Sequence, residues 1–166
     1  MKPTIPSCNA IELACAQLWG WRTNIIVPNV SWGAGVHECD LLILSKAGFA
    51  TEVEIKRSLA DLKKDAAKRH GHSSDRIKYL YFAMPESMLK HESVVPERAG
   101  IISIEANQYY ESGFMAKVCR QPRANPSAKK WTRDERMNLS RLAAMRIWSL
   151  TRKLVKKSQT VENQNK

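Results

Sequence analysis

The 166-residue chain sets 27 Lys and Arg against 16 Asp and Glu, for a net charge of +11 and a pI near 9.7, and 43% of it is hydrophobic. This composition suits one globular domain and excludes a collagenous, low-complexity or wholly disordered chain; the basic excess points to a polyanion, with nucleic acid ahead of a membrane surface. No run approaches the roughly 20 apolar residues of a spanning helix, no basic region precedes an apolar core at the start, and Cys8, Cys15, Cys39 and Cys119 form no CxxC pair, so a cytoplasmic protein with reduced thiols and no membrane association is expected.

Residues 7–19 carry an apolar stripe of Ile11, Ala14, Cys15 and Leu18 at helical spacing. Asn9 with Glu12 resembles a capping box, Ser7 is the rival cap, and Gly20 is a natural stop. Arg22 to Val27 reads as a short β-branched strand ended by Pro28. Ser31 to Val36 is a glycine-containing connection; its Gly-x-Gly is no dinucleotide fingerprint, and Trp32 is read as partly buried rather than as a base-stacking platform.

His37 to Arg57 organises the chain. Apolar runs at 40–44 and 49–55 flank Ser45-Lys46-Ala47-Gly48, a β-hairpin pattern in which Gly48 supplies the positive φ. A turn centred on Lys46 and Ala47 makes the numbers of facing residues sum to 93 or 94, which sets Asp40 opposite Glu54 within one residue. Strand alternation puts Ala50, Glu52, Glu54 and Lys56 on one side. Two carboxylates and a backbone carbonyl suit a hard divalent cation that polarises phosphate and acidifies water, and the adjacent ammonium can orient that water. A solvated strand face with balanced charges is the plainer reading of the same spacing.

Ser58 caps a helix running to about Arg69, with Leu59, Leu62 and Ala66 inward and Lys63, Lys64, Lys68 and Arg69 outward. This basic face is either a wall for nucleic-acid phosphates or a solvated surface. His70 to Asp75 is a polar loop whose His70 or His72 could meet phosphate. With His37 and Cys39 these histidines raise zinc as a rival, but their spacing matches no common zinc pattern. Ile77 to Met84 reads as a central strand buried on both faces, and Gly100 to Glu105 as a further strand. Pro122 to Ser127 is linker-like. Thr132 and Glu135 form a capping box for a final helix with Leu139, Ala143, Ile147, Leu150 and Leu154 on one face and Arg136, Arg141, Arg146, Arg152, Lys153 and Lys157 on the other. That basic face is read as a nucleic-acid-binding arm or partner contact, and residues 158–166 as a disordered tail.

Asp40, thirteen intervening residues and then Glu54-Ile55-Lys56 resemble the signature of the PD-(D/E)xK nuclease superfamily, with Cys39 where its name has proline. The run Glu54 to Asp61, Asp65 with Lys68, and Tyr79 to Ala83 are similar to its MmcB-like DNA repair branch. The resemblance implies an α/β, restriction-endonuclease-like αβββαβ core with a mixed sheet between helices, followed by a basic C-terminal helix. Residues 1–120 would be the nuclease-like domain and 121–157 linker and helix. It further implies Mg²⁺ or Mn²⁺ held by Asp40, Glu54 and the Ile55 carbonyl, with Glu12 as a further metal ligand, Lys56 assisting water and Glu52 behind them. The expected activity is hydrolysis of phosphodiester bonds in DNA, serving repair, restriction or phage DNA processing. A non-catalytic nucleic-acid-binding or assembly module and an RNA-directed nuclease are the alternatives, and homodimer or larger assembly stays open.

Overall fold

The computed structural model describes residues 5–31, 34–66 and 74–164. In chain order it holds α1 (Cys8–Trp19), β1 (Ile25–Val30), β2 (Cys39–Leu44), β3 (Ala50–Ile55), α2 (Leu59–Ala66), β4 (Ile77–Pro85), a 3-10 helix (Glu86–Val94), β5 (Gly100–Ala106), β6 (Phe114–Arg120) and α3 (Arg133–Gln164). The strands form one sheet in the order β1-β2-β3-β4-β5-β6. The β3–β4 and β4–β5 pairs are parallel and the other three antiparallel. Each parallel step needs a crossover, supplied by α2 and by the 3-10 helix. The expected αβββαβ order and mixed sheet between helices are therefore present.

Side-chain alternation sorts the core onto two faces. Ile11, Ala14 and Cys15 of α1 pack on Leu41, Val53, Ile55 and Tyr81. On the other face, Leu62 joins Leu80, Phe82 and Met84, while Trp131 and Leu139 join Leu42, Leu44 and Ala50. β4 is covered on both faces, as its unbroken apolar run requires.

Several local expectations change. Ser7, not Asn9, caps α1, its Oγ accepting from the Ala10 N–H at 3.2 Å. β1 continues through Pro28, which pairs with Leu41, because an edge strand does not need that missing N–H. β6 and the 3-10 helix were not anticipated from sequence. The stretch read as a linker is strapped to the sheet: Asn125 N–H donates to Lys78 O, and its side-chain amide to Ser74 O and Ile77 O. Trp131 N–H donates to Gly48 O and its indole to Arg76 O.

The capping box of α3 is formed, with Glu135 accepting from the Thr132 N–H at 2.7 Å and Thr132 Oγ1 accepting from the Glu135 N–H at 3.3 Å. α3 runs to Gln164, past residue 157 and through the stretch read as a disordered tail. Only its first part packs as the periodicity suggests: Leu139 is buried, whereas Ile147 is 62% and Leu154 66% exposed. Among the described residues no helix is long and apolar enough to cross a membrane.

Candidate active site

The β2–β3 hairpin positions the central residues. Gly48, at φ +88°, donates to Ser45 O at 2.9 Å, and Ser45 N–H donates to Phe49 O, closing a tight loop. The ladder then runs from Leu44 opposite Ala50 to Leu41 opposite Val53, numbers that always sum to 94. One step further Asp40 faces Glu54, and residues directly opposite share a face. Asp40 Oδ2 accepts from the Ile55 N–H at 2.7 Å, which draws the end of β2 onto β3.

Glu54 and Lys56 are both buried, and Lys56 Nζ donates to Glu54 Oε2 at 2.6 Å. Two residues apart at the end of a strand, they meet because strand parity gives them one side. The Lys56 ammonium also lies 5.8 Å from the centre of the Phe82 ring, the β4 residue paired with Glu54. Glu52 is fully buried and takes His37 Nε2 at 2.8 Å. His37 is thus engaged by a carboxylate and Cys39 sits in the core, while His70 and His72, the other residues of the zinc alternative, lie outside the described residues.

A cleft of about 450 Å³ collects Glu12, Asp40, Glu54, the Ile55 backbone segment, Lys56 and Lys64. Glu12 reaches it from α1 and accepts from Asn29 Nδ2 at 3.2 Å. Burial pushes the Glu12 carboxyl above its ordinary range; the Asn29 hydrogen bond opposes this, and the negative charge of Asp40 adds to it. Asn29, in a left-handed conformation at φ 51°, also accepts at its carbonyl from the Arg146 guanidinium of α3. Sequence reading missed Asn29 and Asp61 as cleft residues. An Asn tolerant of positive φ just after Pro28 was the available signal for the first.

The basic residues divide. Lys64 lines the cleft, and Lys63 is exposed on α2. Arg136 is tied to Lys46 O and Trp131 O and Arg146 to Asn29 O, so both hold α3 against the domain. Lys68, Arg69 and His72 lie outside the described residues.

The residues present fit a hard divalent cation by their chemistry. Their donors are oxygens from α1, β2 and β3; Glu12, held above its ordinary range chiefly by burial, also feels the negative charge of Asp40, a repulsion that a cation relieves. Among the described residues no group of three or more His, Cys, Asp or Glu side chains is placed to hold a metal ion by itself.

Comparison with solved structures finds a protein of unknown function from Silicibacter pomeroyi, 16% identical, with a TM-score of 0.62 over 95% of this chain and 96% of that one. This likeness supports the fold. Comparison with curated proteins gives no match. Residues 8–154 match the family described as DNA repair protein MmcB-like, and that span contains α1, the whole sheet, the cleft and two-thirds of α3. The chain belongs to the MmcB-like DNA repair protein family.

Proposed function

We propose that the protein is a divalent-metal-dependent nuclease that hydrolyses phosphodiester bonds in DNA. The observation that carries this reading is the convergence of Glu12, Asp40, Glu54 and Lys56, from three separate elements and the end of β3, on one cleft bordered by Lys64. Family membership supports DNA as the polyanion, and the net charge of +11 agrees with it.

Asp40, Glu54 and the Ile55 carbonyl, with Glu12, would hold Mg²⁺ or Mn²⁺, which supplies Lewis acidity to a phosphate oxygen and lowers the pKa of a bound water. Lys56 Nζ, held by Glu54 in a buried position, orients the attacking water by hydrogen bonding and offsets negative charge developing on the phosphate. The Ile55 N–H locks the Asp40 carboxylate in place before substrate arrives, so little reorganisation remains for the chemical step. His37 keeps Glu52 compensated behind the pair, and Lys64 offers a cation to the backbone on the open side.

The test is cleavage of labelled duplex, branched and single-stranded DNA, and of matched RNA, with Mg²⁺ or Mn²⁺ and with EDTA. Divalent-dependent DNA products are expected, and Glu54→Gln should abolish them while DNA affinity stays similar or rises, since a carboxylate facing phosphate is neutralised. Cleavage confined to RNA would assign the same chemistry to the other substrate. A wild-type protein that cuts nothing and binds no divalent metal would replace the nuclease by a binding module on this scaffold. Undiminished cleavage by Glu54→Gln would move the active site elsewhere.

A further inference from the structure

α1 packs most extensively over β6 at the far edge of the sheet; Leu41 and Ile43 of β2 are buried in the core with it, while Ile26 and Pro28 of β1 are half-buried beside it. Beyond Glu12 a groove of about 240 Å³ runs between Leu13 and Ala16 of α1 and Ile26, Pro28 and Leu41 of the sheet. Where α1 ends, a separate pocket of about 460 Å³, which shares no lining residue with that groove, is walled by Trp19, Phe49, Tyr79 and Tyr81. Trp19 stands edge-on to Tyr81, ring centres 5.3 Å apart at 76°.

The polar groups of this pocket are those a base would meet. Tyr81 Oη donates to Gln121 Oε1 at 3.0 Å, which leaves the Gln121 amide nitrogen as a donor. Asn24 Nδ2 donates to Trp19 O at 2.6 Å, which leaves the Asn24 oxygen as an acceptor. Two cations stand at the rim, Lys78 Nζ 3.8 Å and Lys130 Nζ 5.6 Å from the centre of the Phe49 ring. Aromatic walls, one donor, one acceptor and flanking ammoniums match a stacked base with its phosphates better than they match a purely apolar ligand.

We propose that this pocket binds an unpaired nucleotide of the nucleic acid engaged at the cleft, with its base stacked among Trp19, Phe49, Tyr79 and Tyr81 and its phosphates at Lys78 and Lys130. A duplex keeps its bases stacked inside and cannot offer one to these rings without flipping it out, so the substrates selected are DNA with a single-stranded end, flap or gap. From Ile55 to Thr51 the strand rises by ~13 Å, the length of about four stacked nucleotides. This rests on the nuclease reading only for where the strand is cut; binding in the pocket is independent of it.

The experiment measures fluorescence anisotropy of the full chain in EDTA, with a labelled 12-nucleotide single strand of mixed sequence and a blunt duplex of the same length. Wild type should prefer the single strand, and Tyr79→Leu and Phe49→Leu, which keep apolar volume and remove a stacking face, should each weaken it about tenfold while leaving duplex binding within about twofold. Melting curves confirm that the variants fold. Gln121→Ala, at an exposed position, should also weaken the single strand if Tyr79→Leu unfolds the domain. As a readout that needs no variant, photocrosslinking a 5-iodouracil strand to wild type should modify Trp19, Phe49, Tyr79 or Tyr81. Single-strand affinity unchanged in the folded variants, equal preference for blunt duplex, or crosslinks confined to other regions would overturn the proposal. Intact single-strand binding without divalent-dependent cleavage would overturn only the nuclease reading.

Discussion

The Asp40 carboxylate is anchored by the Ile55 backbone N–H at 2.7 Å, one strand across, and that bond ties the metal-ligand candidate of β2 to the segment that carries Glu54 and Lys56. Asp40→Ala removes the acceptor and leaves a partly buried N–H without it, a loss of ~1–3 kcal/mol expected in urea unfolding. Asp40→Asn restores an acceptor oxygen and should recover most of that stability. Calorimetric Mn²⁺ binding should be weak in both. Full Mn²⁺ affinity in Asp40→Asn would mean that the residue is structural.

The Lys56–Glu54 pair calls for a double-mutant cycle. Both side chains are buried, so Lys56→Met, which strips the carboxylate of its cation, should destabilise by roughly 3–5 kcal/mol, and Glu54→Gln should also cost stability. The combined Glu54→Gln/Lys56→Met protein should lie much closer to wild type than the sum of the two. Additive losses in chemical denaturation would show that the two residues act separately.

Two glutamates pull the pH dependence in opposite directions. Glu135 is held down to about 2, chiefly by its hydrogen bond with Arg76 and then by the Thr132 N–H, so its contribution is fully present above its ordinary pKa of 4.5 and is lost as pH falls towards 2. Glu12 is shifted up, chiefly by burial, so the folded protein binds that proton more tightly and stability falls as pH rises through and above 4.5. Glu12→Gln should therefore raise the melting temperature at neutral pH and leave it nearly unchanged at pH 4. Glu135→Gln should lower it at neutral pH and change it less near pH 2. A melting series across pH 2–8 reads both signs.

The far part of α3 should be dispensable for folding. Its buried anchor is Leu139 and Arg146 ties it to the domain at Asn29, whereas Leu150 and Leu154 are exposed. Ending the chain after Ser149 should change the melting temperature little. It removes Arg152, Lys153, Lys156 and Lys157, so DNA affinity should fall and its dependence on salt concentration should flatten. An unchanged salt slope in a truncated protein that still folds would show that this part of the helix does not touch DNA.

The features legible in the chain by itself are those governed by neighbours in sequence. Strand parity and a glycine turn place Glu54, Lys56 and Asp40 together, because alternation and a short loop leave one register; the Thr132–Glu135 box and the Ser58 cap, whose Oγ accepts from the Asp61 N–H, are closed within four residues. What tertiary structure decided depends on partners far apart. Pro28 ends no strand because β1 happens to be an edge, and Pro122 to Ser127 forms a strap because backbone carbonyls of Ser74 and Ile77 are waiting for Asn125. The periodicity of α3 shows an apolar stripe but not where the sheet beneath it stops, so Leu139 is buried and Leu154 is not. Glu12 enters the cleft only because α1 crosses the sheet at the height of Asn29, and that same placement leaves a shallow groove between α1 and β1. Helix position on a sheet is set by how whole surfaces pack, and no local pattern of residues encodes it.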